Sequence, residues 1–500
     1  MNKSPGPDKI HPRVLHEIAP AIAVPLSIIY KTSMRTKTLP NEWKHANVSA
    51  IFKKGSRTSP KNYRPVSLTV IICKTLESIV RDAIIQHMNE NNLFSPKQFG
   101  FLAGRSTTLQ LIKVLDIWTQ ILDEGGCIDV VYCDFMKAFD KVPHNRLLHK
   151  VENYGVTGNI LGWISSFLKD RTHQVIVNGA KSGSAKVTSG IPQGSVLGPL
   201  LFVIYINDLP DVVDKDSFIY LFADDTKIFR KINTGVDKHI LQRDIDRLLE
   251  WSNDWLLKFH PDKCVCMGVG YTSDEPIFYS MNGQVLKGSN CEKDLGVYFD
   301  KSLKFDLHIN SIINKANRTL GIVRRTFDNI DKETFRLLYK GLVRSQLEYA
   351  APVWSPHLIK HIDALENVQR RATKLVPGLS ELSYPDRLKI LKLPTLAYRR
   401  TRGDMITCYK IIHQGFDNSI NSMLPLREMG LRGHNRKLFI EGANKDIRKF
   451  NFSMRVRKLW NSLPDSAVNA KDVYNFEREL DEHWANQELL YNDHKASIKL

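Results

Sequence analysis

Apolar side chains recur along this chain at two periods, and the switches between them outline its parts. Residues 11–38, 70–92, 106–124 and 195–209 repeat hydrophobic positions every three or four residues, the spacing of a helix with one buried face. Short Val- and Ile-rich runs interrupt them. Asn47 to Phe52, CIDVVYCD (127–134), 263–269 and 293–300 each predict a buried strand, and FIYLFADDTKIF (218–229) predicts two strands joined by a tight acidic turn. Residues 173–190 predict a hairpin around Asn178-Gly179 and Ser182-Gly183, because Asn and Gly accept the positive φ of such turns. Pro143 predicts a helix start, and Ile245, Leu248, Leu249 and Trp251 mark one face of an amphipathic helix. KKGSRTSPKNYRP (53–65) is a polar, basic loop punctuated by Gly and Pro. Beyond about residue 305 the pattern is mostly helical, as in a separate appended domain. The expectation is an α+β core followed by a helical one.

Composition narrows the class. With 500 residues, 42% of them apolar, the chain can bury two or three cores and is not disordered. Its net charge of +18 points to a polyanionic partner. The charge is uneven: residues 301–500 hold 35 Lys and Arg against 22 Asp and Glu, a net of +13, which leaves +5 for residues 1–300. A basic C-terminal portion suits a nucleic-acid clamp, with a merely solvated surface as the plain alternative. Seven scattered cysteines without a Cys-x-x-Cys pattern argue for reduced thiols, against a disulfide framework and against a zinc knuckle; Cys264 and Cys266 should face the same way on a strand. No apolar run approaches the roughly 20 residues that span a bilayer, and MNKSPGPDKIHP lacks a signal peptide's apolar stretch, so no membrane partner is expected.

The sharpest chemical signal is Phe222-Ala223-Asp224-Asp225, two adjacent acids between apolar strands. Neighbouring strand residues point to opposite faces, so without a special turn only one carboxylate can enter a site fully. Taken alone, such a pair is an ordinary turn about nine times in ten. A second acid in a similar setting changes that weighting. Asp134 ends the apolar run IDVVYCD, where its side chain can leave the core and meet the acidic hairpin. Three hard oxygen ligands suit Mg²⁺, which takes one or two carboxylates plus phosphate oxygens and water. In two-metal sites the ions stand roughly 3.5–4 Å apart, one activating the attacking hydroxyl and one stabilising the leaving oxygen.

The segments around these acids resemble a known family. VYCDFMKAFDKVPH (131–144), GIPQGSVLGPLLFVIYINDLP (190–210) and YLFADDTKIF (220–229) resemble motifs A, B and C of reverse transcriptases, in that order. Their wording, with KAFD, PQGSVLGP and FADD, is similar to the enzymes of non-LTR retrotransposons, jockey-type and related clades in particular. SPGPDKI (4–10) resembles the leader motif and KNYRPVSL (61–68) the fingers motif. KQFGFLAGRSTTLQL (97–111) resembles the segment between fingers and palm. LLKFHPDKCVCM (256–267) resembles motif D, EKDLGVYFDKSLKF (292–305) the primer-grip region, and YKGLVRSQLEYAAPVW (339–354) the thumb and beyond.

The resemblance implies a right-hand polymerase of class α+β. Fingers and leader would occupy 1–125, a palm with an antiparallel sheet 126–305, a mainly α-helical thumb 306–400, and a basic C-terminal region 401–500; the reverse transcriptase domain would run over about 35–300. It implies Asp134, Asp224 and Asp225 as metal-binding catalytic acids, with two Mg²⁺ ions and Mn²⁺ as a substitute. Lys263 stands where the family's motif D lysine protonates pyrophosphate; as a plain strand-start residue it would simply be solvated. Lys53 and Arg64 stand at the basic fingers positions that hold the triphosphate, with Lys54 an equal candidate to Lys53. Phe139 stands where a bulky ring excludes a ribose 2′-hydroxyl, and Gln193 and Gly194 stand in the loop beneath the incoming nucleotide. Asp140 reads as structural. Arg324, Arg325, Arg370 and Arg371 are candidate contacts to template–primer, or else parts of a solvated helix face.

The implied activity is RNA-directed DNA synthesis from a DNA 3′-hydroxyl primer, with template RNA and dNTPs as partners. About fifty residues precede the expected fingers strand, too few for the endonuclease that precedes many relatives, so the chain reads as a truncated copy or a fragment of a longer gene, with an endonuclease in trans as a candidate partner. No acidic constellation after residue 300 resembles ribonuclease H. The expected location is intracellular: nuclear at integration, cytoplasmic for ribonucleoprotein assembly. A maturase-like RNA-binding protein, a relic without a role and a telomerase-like enzyme are the alternatives. The intact acids and the mobile-element wording of the flanking motifs weigh against them.

Overall fold

A computed structural model describes residues 4–272, 277–413, 418–427 and 433–499. Its central sheet has five strands in the order Lys287–Gly288, Val265–Val269, Cys127–Cys133, Asp225–Ile232, Phe218–Phe222. The 127–133 strand lies at the centre, antiparallel to both neighbours, with Val131 opposite Ile228 on one side and Cys266 on the other. Period-two alternation divides its side chains between two cores. Ile128 and Val130 join Trp118, Phe229 and Met267 on one face. Val131 and Cys133 join Ile228, Cys266 and Leu248 on the other. A second sheet pairs Tyr63–Leu68, His45–Phe52 and Arg171–Val177, with Ala180–Lys181 and Ala185–Val187 at its edge. The hairpin between 171–177 and 180–181 reverses at Asn178 and Gly179, at φ of 49° and 85°, as their residue types anticipate.

Three sequence expectations shift by small amounts. The 11–38 pattern folds as two helices, Pro12–Glu17 and Ala19–Thr36. Pro143 caps the His144–Asn153 helix rather than opening it, and the 195–209 pattern contracts to Gly198–Tyr205. A fourth changes character. Residues 293–300 are not one strand: Cys291–Asp294 and Val297–Asp300 form a hairpin, reversed at Leu295 and Gly296 with φ of 44° and 94°.

The helices after residue 305, expected as an appended domain, pack directly on the sheet-bearing part of the chain. The Thr107–Asp123 helix is buried around most of its circumference, so one side packs on the central sheet and another needs a cover. The C-terminal helices supply it, and a single apolar cluster runs from Phe99 and Trp118 to Trp460 and Trp484. Polar ties accompany this packing. Arg448 pairs with Asp116 at 2.6 Å, Asn451 donates to Thr119 at 2.9 Å, and the N–H groups of Asn444 and Lys445 donate to Asp123. Helical periodicity shows that a helix has an apolar face, not which neighbour it faces. The Leu396–His413 helix runs unbroken through residue 400. No helix among the described residues is long and apolar enough to cross a membrane, and the seven cysteines are free thiols.

Candidate active site

Three chain segments bring the predicted acids to one end of the central sheet. Asp134 follows the last residue of the 127–133 strand, and its carbonyl accepts the His260 N–H at 2.8 Å. Asp224 lies in the turn between the 218–222 and 225–232 strands, and Asp225 starts the second of these. Ala223 makes the turn at φ 55°, a left-handed conformation that costs a non-glycine residue about 1 kcal/mol or more. That conformation is what lets two consecutive acids serve one site.

The turn is held from behind. The Lys97–Gly100 segment runs alongside the 218–222 strand, with Phe99 N–H donating to Leu221 at 2.7 Å and Leu221 N–H to Lys97 at 2.9 Å. Gln98, fully buried, accepts the N–H groups of Gly100 and Ala223 on its Oε1, at 2.7 and 2.9 Å. A side chain at Gly100 would meet the Ala223 nitrogen at 2.3 Å, so only glycine lets the two backbones approach this closely. Sequence reasoning missed Gln98, because one polar residue in a loop breaks no periodicity.

The acids are electrostatically crowded. Burial raises the Asp224 carboxyl above its ordinary value and the charge of Asp134 adds to this, while Arg64 and Lys53 pull it back. Asp225 is pushed up to about 6: loss of solvation in the surrounding protein comes first, although part of the side chain is open to solvent, and the charges of Asp224, Asp294 and Asp134 follow. A cavity of about 140 Å³ is lined by Asp134, Asp225, Asp294, Lys227 and Lys263 among others. Two of its three lysines are paired with acids, Lys263 with Asp134 at 3.2 Å and Lys227 with the buried Asp294, while Lys293 lies over the Tyr298 ring. Asp224 and Asp225 form no ion pair with a described residue.

This donor set suits a hard divalent cation, whose charge would offset the lost solvation and the repulsion that together raise both carboxyls. Among the described residues, no group of three or more His, Cys, Asp or Glu side chains is gathered into a cage that could hold an ion alone. Mg²⁺ takes one or two carboxylates and completes its shell with water and substrate phosphate, so such a cage is not required.

The remaining predicted residues surround this end of the sheet. Lys53, Lys54 and Arg64 are exposed at and beyond the ends of the paired 45–52 and 63–68 strands, and it is Arg64 and Lys53 whose charge reaches Asp224. Phe139 is half-buried, stacked on Phe202 at 4.4 Å and edge-on to Phe101. Asp140 accepts a hydrogen bond from the Gln193 side-chain amide at 2.8 Å. The Gln193 carbonyl accepts the Ser67 N–H at 2.6 Å, and a side chain at Gly194 (φ +114°) would meet the Ser67 carbonyl oxygen at 2.5 Å. The buried Glu77, also unforeseen, accepts the N–H groups of Val196 and Leu197 and so fixes this loop from below.

The candidate backbone contacts divide. Arg324 and Arg325 are exposed at the end of the Asp306–Thr326 helix. Arg370 lies over the Tyr384 ring, and Arg371 donates to Asn317 at 3.0 Å, so both are engaged within the protein.

Comparison with known proteins follows the same outline. Residues 51–296 match the family described as reverse transcriptase (RNA-dependent DNA polymerase). The chain is 27% identical over 389 residues to the probable RNA-directed DNA polymerase from transposon BS of Drosophila melanogaster, covering 75% of this chain and 43% of that protein. It is 26% identical over 391 residues to the RNA-directed DNA polymerase from mobile element jockey of the same species, covering 76% and 42%. The chain thus spans less than half the length of these relatives. Among solved structures it is similar to telomerase from Candida albicans, at 11% identity and a TM-score of 0.42, covering 71% of this chain and 67% of that one.

Proposed function

This chain belongs to the reverse transcriptase family through residues 51–296, and from that membership we propose that it copies RNA into DNA from a supplied primer 3′-hydroxyl. The observation that carries the reading is electrostatic. Asp134, Asp224 and Asp225 come together at one end of the central sheet, and the charge of the exposed Arg64 and Lys53 reaches Asp224 there. Phosphoryl transfer needs little more from a protein than this, because positioning and charge neutralisation do most of the work.

In this reading Asp134, Asp224 and Asp225 would hold Mg²⁺, which when bound supplies charge neutralisation to the attacking hydroxyl and the leaving oxygen. Lys53 and Arg64 grip the triphosphate of the incoming dNTP. The primer oxygen bonds to the α-phosphorus, the bond to the β-phosphate oxygen breaks, and pyrophosphate leaves. Asp140 holds Gln193 beneath the nucleotide, and the Phe202 stack holds Phe139 where a ribose 2′-hydroxyl would collide. Lys263, resting on Asp134, is within reach of the same cavity as a proton donor to pyrophosphate.

Purified protein should extend oligo(dT) on poly(rA) in a Mg²⁺-dependent manner. Asp224→Asn should abolish extension while RNA binding persists. Extension by this variant at the unsubstituted rate would sink the assignment.

A further inference from the structure

A second cavity, of about 460 Å³, opens between the N-terminus of the Thr107–Asp123 helix and the Leu396–His413 helix. Its lining includes Ser106, Thr108, Glu348, Arg399, Arg400 and Lys410. Three of these are cationic and one is anionic. The Glu348 carboxylate is already held by Arg399, through two contacts, the longer of 3.0 Å.

Arg400 is the anomaly. It keeps only 5% of its exposure, yet its guanidinium has no hydrogen-bonding or ion-pairing partner among the described residues. The carboxylates whose charge reaches it are Glu366, Asp404 and Glu348, and each is engaged elsewhere. Glu366 accepts the Tyr384 hydroxyl at 2.5 Å and the Leu396 N–H at 3.0 Å. Asp404 is gripped by Arg455 through two contacts of 2.9 Å. The guanidinium lines the cavity and its nitrogens are not sealed from it, so they are free to take an anion there. What faces it across the cavity points the same way. The first turn of a 17-residue helix carries N–H groups at Thr107 and Thr108 without intrahelical acceptors and the positive end of the helix dipole.

We propose that this cavity is a phosphate subsite, completed by Arg400, Lys410 and the 107–123 helix N-terminus, and that it takes one backbone phosphate of the bound nucleic acid. A phosphodiester is the ligand these groups fit: Arg offers a planar fork, Lys a point charge, and the helix end backbone donors. Its placement selects the nucleic acid as the source. The Tyr349 hydroxyl donates to the Leu295 carbonyl at 2.8 Å and touches the Thr107 hydroxyl at 3.1 Å. Leu295 in turn lines the smaller cavity that holds Asp134 and Asp225. One hairpin turn therefore separates the subsite from the acids. The assignment rests on the polymerase reading of the chain.

The full-length protein can be tested with a fluorescein-labelled RNA/DNA primer–template, by anisotropy across a salt series, with thermal melting of the free protein alongside. Arg400→Leu should weaken binding about tenfold or more at low salt. It should also make the slope of log K against log salt shallower by about 0.9, the value for one duplex phosphate. The same substitution should lower the free protein's melting temperature only modestly, since it deletes a buried cation without a hydrogen-bond partner but also removes the charge that reaches the buried Glu366. Lys410→Gln, on the half-buried rim, should weaken binding in the same direction and fold without difficulty. A drop in melting temperature with unchanged affinity and slope would make Arg400 a structural cation and overturn the subsite. Stabilisation of unsubstituted protein by inorganic phosphate, lost in Arg400→Leu while the duplex slope stays the same, would overturn the backbone source. If the unsubstituted protein neither binds nor extends the duplex, the polymerase reading itself fails; if it does both and the variants match it, only the subsite fails.

Discussion

Gln98 shows how much a single buried side chain can decide. One carbonyl oxygen accepts two backbone N–H groups, one of them from the left-handed Ala223 that turns Asp224 toward the cleft. Gln98→Met removes the acceptor and leaves both donors buried, at about 1–3 kcal/mol each. Melting temperature should fall, and extension should fall further than the loss of folded protein explains, with primer–template affinity retained; equal losses in all three would reduce Gln98 to a packing residue. His308 carries a prediction in pH. Burial against Trp354 and the charge of Lys293 lower it to about 4, against about 6.5 in an unfolded chain. Between those values the unfolded chain binds the extra proton, so stability falls as pH falls. The loss should reach about 2 kcal/mol at pH 5. Urea midpoints at pH 7 and pH 5 should therefore differ more in the unsubstituted protein than in His308→Phe.

At the scale of elements, the hairpin 291–300 was legible only as one strand. Leu295-Gly296 is a weak turn signal, and the reversal owes its place to what lies around it. Tyr349 holds the Leu295 carbonyl, and the Asp294 carboxylate pairs with Lys227 of the neighbouring sheet strand. Both charges are nearly removed from solvent, at 7% and 4% side-chain exposure. Breaking such a pair costs more than making it gains, because the surviving charge stays buried. Asp294→Asn should destabilise the protein by about 3 kcal/mol or more, whereas Asp294→Leu combined with Lys227→Met should recover most of that loss. Denaturant midpoints of the three variants check this, and a double variant no better than the single one would contradict it.

For the whole molecule, the basic C-terminal portion is not a detachable clamp. Arg387, Arg448 and Arg457 are buried, so part of the +13 counted after residue 300 lies inside the fold. The salt dependence of nucleic-acid binding should accordingly be shallower than the charge count suggests. The same cores predict what truncation does. A chain ending after residue 305 would uncover Trp118, Phe299 and the outer side of the 107–123 helix. It should be insoluble or exchange its amide hydrogens without protection. A soluble, protected fragment would show that the palm-like sheet folds without its helical partner.

Several features needed no tertiary information. Strand and helix periods, the Asn-Gly hairpin, and the order of the segments carrying Asp134, Asp224 and Asp225 are local properties of the chain, set by backbone sterics and by side chains a few residues apart. So was the pairing of an apolar strand end with an acidic turn, which pointed to a cation before any fold was known. The rest depended on residues far apart in sequence. Gln98 meets Ala223 across 125 positions, and Arg448 meets Asp116 across 332. Which lysine faces Asp224, which arginines are consumed inside the fold and which one is left unpaired are likewise outcomes of packing. Burial and charge proximity are properties of a neighbourhood in space, and periodicity along the chain carries no record of it.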